Sequence, residues 1–146
     1  MLRALAERFG PDVVGSGGAD RARIAEIVFN EPEQLAWLEE LLHPRVVQAN
    51  LDWRAEQESR SERPLLTVTE VPLLYETGAE RRFDAVVVIT APEAVRRERR
   101  PVTDAREQRL LPEAEKVARA DYAYVNDGTL AELDAFVADV VGKLTA

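Results

Sequence analysis

The chain has 146 residues, 46% of them apolar and 32% charged, and a formal net charge of −8, which suits one soluble domain with a single core. It has no cysteine, which excludes disulfides, thiolate nucleophiles and cysteine-ligated zinc, and its single histidine, His43, argues against a histidine metal site. No apolar run approaches the roughly 20 residues of a spanning helix, Met1–Arg8 mixes charges where a signal peptide needs an apolar core, and the acidic balance argues against a broad nucleic-acid surface. A cytoplasmic protein with no membrane or nucleic-acid partner is expected.

Residues 1–9 read as a helix that Gly10-Pro11 breaks. Gly15–Gly18 reads as a flexible loop between helices. A second helix is expected over residues 20–29, with Asp20 as its N-cap and Ile24, Ile27 and Val28 on one face. Asn30 is the expected cap of a third, with Pro32 in its first turn, Glu33 three residues after the cap, and Leu35, Leu38, Leu41 and Leu42 inward. Pro44 should end that helix, and a separate long one should follow over Val46–Arg60. From Pro64 the pattern changes: Leu65–Val71, Ala85–Thr90 and Ala123–Val125 are short apolar runs of strand length. Helices are expected after Ala91 through an arginine block, again after Pro112, and finally over 130–144, where Leu133, Phe136, Val137 and Val140 share a face.

Continuously apolar strands are buried on both faces, which predicts an α/β fold with a parallel sheet flanked by helices. Three strands are few for such a sheet, and the chain opens inside a helix, so the pattern is that of an α/β fold with its front strands missing. Gly10–Ser16 spaces its glycines like a phosphate loop, but Ser16 stands where lysine should reach the phosphates and no strand precedes it. That motif is rejected. Between positions 81 and 109 lie Arg81, Arg82, Arg96, Arg97, Arg99, Arg100, Arg106 and Arg109. Their forked guanidinium groups suit a small phosphorylated ligand; a solvated helix face rich in arginine from base composition is the alternative.

Six segments occur in one order: Arg21–Phe29, Asn30–Glu33, Leu41-Leu-His-Pro44, Val71-Pro-Leu-Leu-Tyr-Glu76, Val87–Glu93 and Glu115–Gly128. Together they resemble the dephospho-coenzyme A kinase family over nearly the whole chain, from Phe9-Gly10 to the last helix. The resemblance implies a P-loop NTPase-like parallel sheet flanked by helices, N-terminally truncated, with the first strand, phosphate loop, following helix and second strand missing. It divides one domain, 1–146, into a helical acceptor-binding region over 1–63, core sheet and helices over 64–95 and 119–146, and a lid over 96–118.

The resemblance also implies an activity: ATP gives its γ-phosphoryl group to the ribose 3′-hydroxyl of dephospho-coenzyme A, with Mg²⁺ as the metal. Glu70, at the end of a strand resembling a Walker-B position, would help hold the ion, or else faces solvent. His43 would bind dephospho-coenzyme A, or else caps helix carbonyls. Arg106 and Arg109 are the catalytic choices for the phosphates, in a lid shorter than the family's pattern, with Leu110 near where a glutamine is commonly found. Lys116 and Arg119 would bind substrate, and Asn126 with Gly128 would contact adenine, although Asn-Asp-Gly is also an ordinary turn. Lacking the Gly-Lys-Ser/Thr loop, this chain alone is expected to have negligible kinase activity and an exposed apolar edge prone to aggregation. The rival readings are a non-catalytic nucleotide- or coenzyme A-binding protein derived from such a kinase, and a fragment of another nucleoside or shikimate-type kinase.

Overall fold

The computed structural model describes residues 1–99 and 110–146, which fall into two compact units, Met1–Pro64 and Leu65–Ala146.

The first unit opens with α1 (Leu2–Phe9), which ends where Gly10 turns to φ 100°, a conformation that disfavours any side chain. A 3₁₀ turn, Pro11–Val13, leads into β1 (Val14–Gly15) and β2 (Gly18–Ala19), a short antiparallel hairpin. The expected loop at Gly15–Gly18 is therefore a paired turn, closed by the Asp20 N–H donating to the Val13 carbonyl at 2.8 Å. Next, α2 (Arg21–Asn30) starts as expected, with Asp20 accepting from the Arg23 N–H. Asn30 ends that helix, its amide donating to the Glu26 carbonyl, and Glu31 is the first cap residue of α3 (Pro32–Ser59).

The expected break at Pro44 does not occur, because α3 runs through it as one helix of 28 residues. Proline removes one backbone donor and crowds the preceding turn. Beside it, the Arg45 guanidinium donates to the Leu41 carbonyl. Leu5, Val13, Ile24 and Val28 are the buried core of this unit, with Phe9, Leu35, Trp37, Leu38 and Leu41 packed around it. The Phe9 and Trp37 rings meet edge to face at 5.3 Å, which ties α1 to α3.

In the second unit, β3 (Val87–Thr90) and β4 (Tyr122–Val125) pair in parallel, from Val87 opposite Tyr122 to Thr90 opposite Val125. The pairing is started by Asp121, whose carboxylate accepts the Val86 N–H at 2.8 Å while its own N–H donates to the Val86 carbonyl. Between the strands lie α4 (Glu93–Arg99) and α5 (Glu113–Arg119), and after them comes α6 (Leu130–Leu144). Stacking of Tyr124 on Phe136 at 4.9 Å fixes α6 against the sheet. The expected strand at Leu65–Val71 is not one: the stretch has no ladder partner among the described residues, and Leu65 and Val68 are 85% and 78% exposed. Strand-forming side chains make no strand without a neighbouring one to pair with. Among the described residues, no helix is long and apolar enough to cross a membrane.

The Glu132 carboxylate closes a capping box on α6, accepting from the Thr129 N–H at 2.6 Å and the Thr129 hydroxyl at 2.8 Å. A Cβ on Gly128 would lie 2.3 Å from that same carboxylate oxygen, so a side chain there would push the Glu132 carboxylate away from the cap. Thr129→Ala should cost about 1 kcal/mol in urea unfolding, and Gly128→Ala should act through the same carboxylate. The double variant should then cost less than the sum of the two, and strict additivity would contradict the shared cap. Pro44→Ala should stabilise the first unit by up to about 3 kcal/mol, read as a higher urea midpoint of its helical signal.

Candidate active site

Parallel pairing releases both β3 and β4 at one edge of the sheet, and the carboxyl edge of an open α/β sheet is where such folds hold ligands. An open cleft of about 560 Å³ lies there, lined by Thr90, Asn126, Arg96, Arg99, Leu111 and Lys116 among others. The Asn126 N–H donates to the Thr90 carbonyl at 2.7 Å, extending the ladder past β4 into the cleft floor. The Thr90 hydroxyl is buried and makes no hydrogen bond among the described residues. Arg96 pairs with Glu113 at 3.3 Å, which joins α4 to α5.

Behind the cleft, each cation of α5 meets a carboxylate. Lys116 Nζ lies 2.6 Å from Glu76 Oε1, with the two side chains only 20% and 14% exposed. The same oxygen accepts the Leu111 N–H at 3.0 Å. Burial pushes the Glu76 carboxyl up, but the bonds from Lys116, Leu111 and its own backbone outweigh that, and the group sits below its ordinary 4.5. Arg119 bonds Glu80 at 2.7 Å and Glu115 at 3.4 Å, and lies 4.3 Å over the Tyr75 ring. The Tyr75 phenol is raised from its ordinary 10.0, chiefly by burial, with Asp121 and Glu80 adding to the rise and Arg119 opposing it.

Of the expected site residues, Lys116 and Asn126 come together on the cleft. Arg119 lies on the same helix as Lys116, with its guanidinium engaged by Glu80, Glu115 and Tyr75. Gly128 follows Asn126 at the entry to α6. Glu70 is exposed, in the stretch that forms no strand, and His43 is exposed on α3 in the other unit. Arg106 and Arg109 lie outside the described residues. Among the described residues, no group of three or more histidines and carboxylates gathers as a metal site.

Sequence reasoning missed Glu76 and Thr90. Glu76 closes a recognised motif, but its partner is Lys116, 40 positions away, and local patterns carry no such pairing; an acidic residue directly after an apolar run was the available signal. Thr90 reads as an ordinary strand residue until its hydroxyl is seen buried on the cleft.

A carboxylate whose folded value is lowered stabilises the fold above its ordinary value and loses that contribution as pH falls through the folded value. Glu76→Gln should therefore cost about 2 kcal/mol at pH 7, and the gap to the unaltered protein in urea unfolding should close below pH 4.5. A gap that stays constant down to pH 3 would contradict an ionised, bonded Glu76.

The sequence model of the dephospho-CoA kinase family matches residues 1–132. The dephospho-CoA kinase of Thermus thermophilus is 37% identical over 147 residues, covering 95% of this chain and 70% of that one. That of Chlorobaculum tepidum is 35% identical, covering 99% and 74%. A solved Thermus thermophilus structure superposes with a TM-score of 0.72 at 35% identity, covering 99% of this chain and 77% of the other. The dephospho-CoA kinase structure from Campylobacter jejuni, at 24% identity and a TM-score of 0.68, shares the fold. The small parallel sheet flanked by helices is thus the α/β, P-loop NTPase-like fold of these relatives, and the chain belongs to the dephospho-CoA kinase family, whose members are phosphotransferases using ATP.

Proposed function

We propose that the cleft at the carboxyl edge of β3 and β4 takes ATP and that the family's reaction here is transfer of the γ-phosphoryl group to the 3′-hydroxyl of dephospho-coenzyme A. One observation carries the reading: Lys116, Arg96, Arg99, Asn126 and Thr90 line one cleft at a sheet edge suited to nucleotides. Phosphoryl transfer depends on positioning and on positive charge spread around the phosphates, and the cleft carries cations from two helices. Asn126, with Gly128 beside it, faces the base, while Arg106 and Arg109 take phosphates and act in catalysis. Lys116 and Arg119 are the further substrate-binding groups, Lys116 towards the phosphates of ATP, and each arrives with a carboxylate partner.

Residues 1–63 form the acceptor region, in which exposed His43 contacts dephospho-coenzyme A; residues 64–95 and 119–146 form the core, and 96–118 the lid. Glu70, a single exposed carboxylate, fits a Mg²⁺ ion that keeps most of its waters and takes one or two carboxylates. When bound, that ion neutralises charge on the transferred group. A cytoplasmic setting without membrane or nucleic-acid partners accords with the net charge of −8.

The reading extends to these 146 residues taken alone: without a Gly-Lys-Ser/Thr segment anywhere in them, they bind nucleotide but turn over too slowly to detect, since that loop supplies the backbone donors and lysine of the phosphate cradle. Calorimetry should find ATP binding that Asn126→Ala weakens about tenfold, a loss on the scale of one hydrogen bond to the base. A coupled assay with ATP and dephospho-coenzyme A should register no product. Unchanged affinity in Asn126→Ala would overturn the assignment of the base site, and measurable turnover would overturn the inactivity.

A further inference from the structure

We infer that Glu76 is a positioning residue for the nucleotide phosphates: through one carboxylate oxygen it holds both the Lys116 ammonium and the Leu111 backbone at the wall of the cleft. This rests on the reading of that cleft as the ATP site. Lys116 Nζ and the Leu111 N–H reach the same Oε1, at 2.6 Å and 3.0 Å, and both residues line the cleft. An ammonium has three donors; the bond to Glu76 uses one and leaves two for a ligand. A free lysine on a four-carbon stem sweeps many rotamers, and holding it in one removes an entropic cost from phosphate binding. Protein kinases use the same division of labour, a glutamate orienting the lysine that faces the phosphates.

The surroundings make the pair directional. Both side chains are mostly buried, so their attraction is little screened by water, and Glu76 Oε2 is buried with no partner among the described residues. A carboxylate that only stabilised the fold would be expected to have both oxygens bonded. Here a single oxygen carries the whole attachment, and what it attaches is a cation and a backbone amide on one wall of the cleft. Glu76 itself does not line the cleft, so it acts through Lys116 rather than on the ligand.

The chain contains two lysines, Lys116 and Lys143, and Lys143 is paired with Asp139 on α6, so lysine ¹³Cε labelling gives two resolvable side-chain signals. Titration of the full chain with ATP should shift the Lys116 signal and leave Lys143 in place. Glu76→Gln should weaken ATP binding about tenfold or more and abolish that shift, while leaving the affinity for adenosine, which has no phosphates, unchanged; Glu76→Asp should restore part of the ATP affinity. Equal losses for ATP and adenosine, or no loss for either, would overturn the positioning role. ATP binding with Lys116 unmoved would overturn it in the unaltered protein, whether or not the variants fold. Failure of the unaltered chain to bind ATP, with both lysine signals unmoved, would instead bring down the nucleotide reading on which the inference stands.

Discussion

The parallel pairing of Val87–Thr90 with Tyr122–Val125 governs the second unit, because a parallel pair cannot be joined by a tight turn. The chain must cross back over residues 91–121 before the second strand can begin, and parallel connections of this kind are usually made by helices. Every cleft residue outside the strand ends is drawn from that crossover: Arg96 and Arg99 from α4, Leu110–Pro112 from the approach to α5, and Lys116 from α5 itself. The Asp121–Val86 bonds that start the ladder therefore do more than hold two strands together. By setting the register, they decide that Thr90 ends opposite Val125 with Asn126 one step beyond, bonded to the Thr90 carbonyl, which makes a floor for the cleft.

Much of the positive charge at and beside this site is supplied together with an acid. Lys116 meets Glu76, Arg119 meets Glu80 and Glu115, and Arg96 meets Glu113. In a chain of net charge −8, such pairing keeps isolated cations out of a partly buried region, where an unpaired charge is costly. It also orients them. The exposed pair Arg96–Glu113 holds weakly, whereas the mostly buried Lys116–Glu76 pair is little screened by water.

Much of the helical layout was legible because its signals are local. Asp20 caps α2, Gly10 stops α1, and the apolar spacing of Leu133, Phe136 and Val140 marks α6. What was not legible depends on partners distant in sequence or on a single side chain. Pro44 carries a strong rule for ending a helix, yet α3 runs through it without a break. Leu65–Val71 has the composition of a strand, but a strand is a property of a pair, and no neighbour is present among the described residues. Lys116 and Asn126 could be found from their motif, and Glu76 could be read only as its last letter until the structure brought it against a helix 40 residues on.

A family of phosphotransferases is thus joined to a particular arrangement: two short parallel strands, a crossover carrying the cations, and acids behind them. The central claim is that phosphates sit at the carboxyl edge of β3 and β4. A crystal structure of this chain grown with ATP tests it most directly. The account predicts phosphate density within hydrogen-bonding distance of Lys116 Nζ, with Glu76 still bonded to the lysine. Nucleotide bound elsewhere on the chain, with that cleft holding only water, would contradict it.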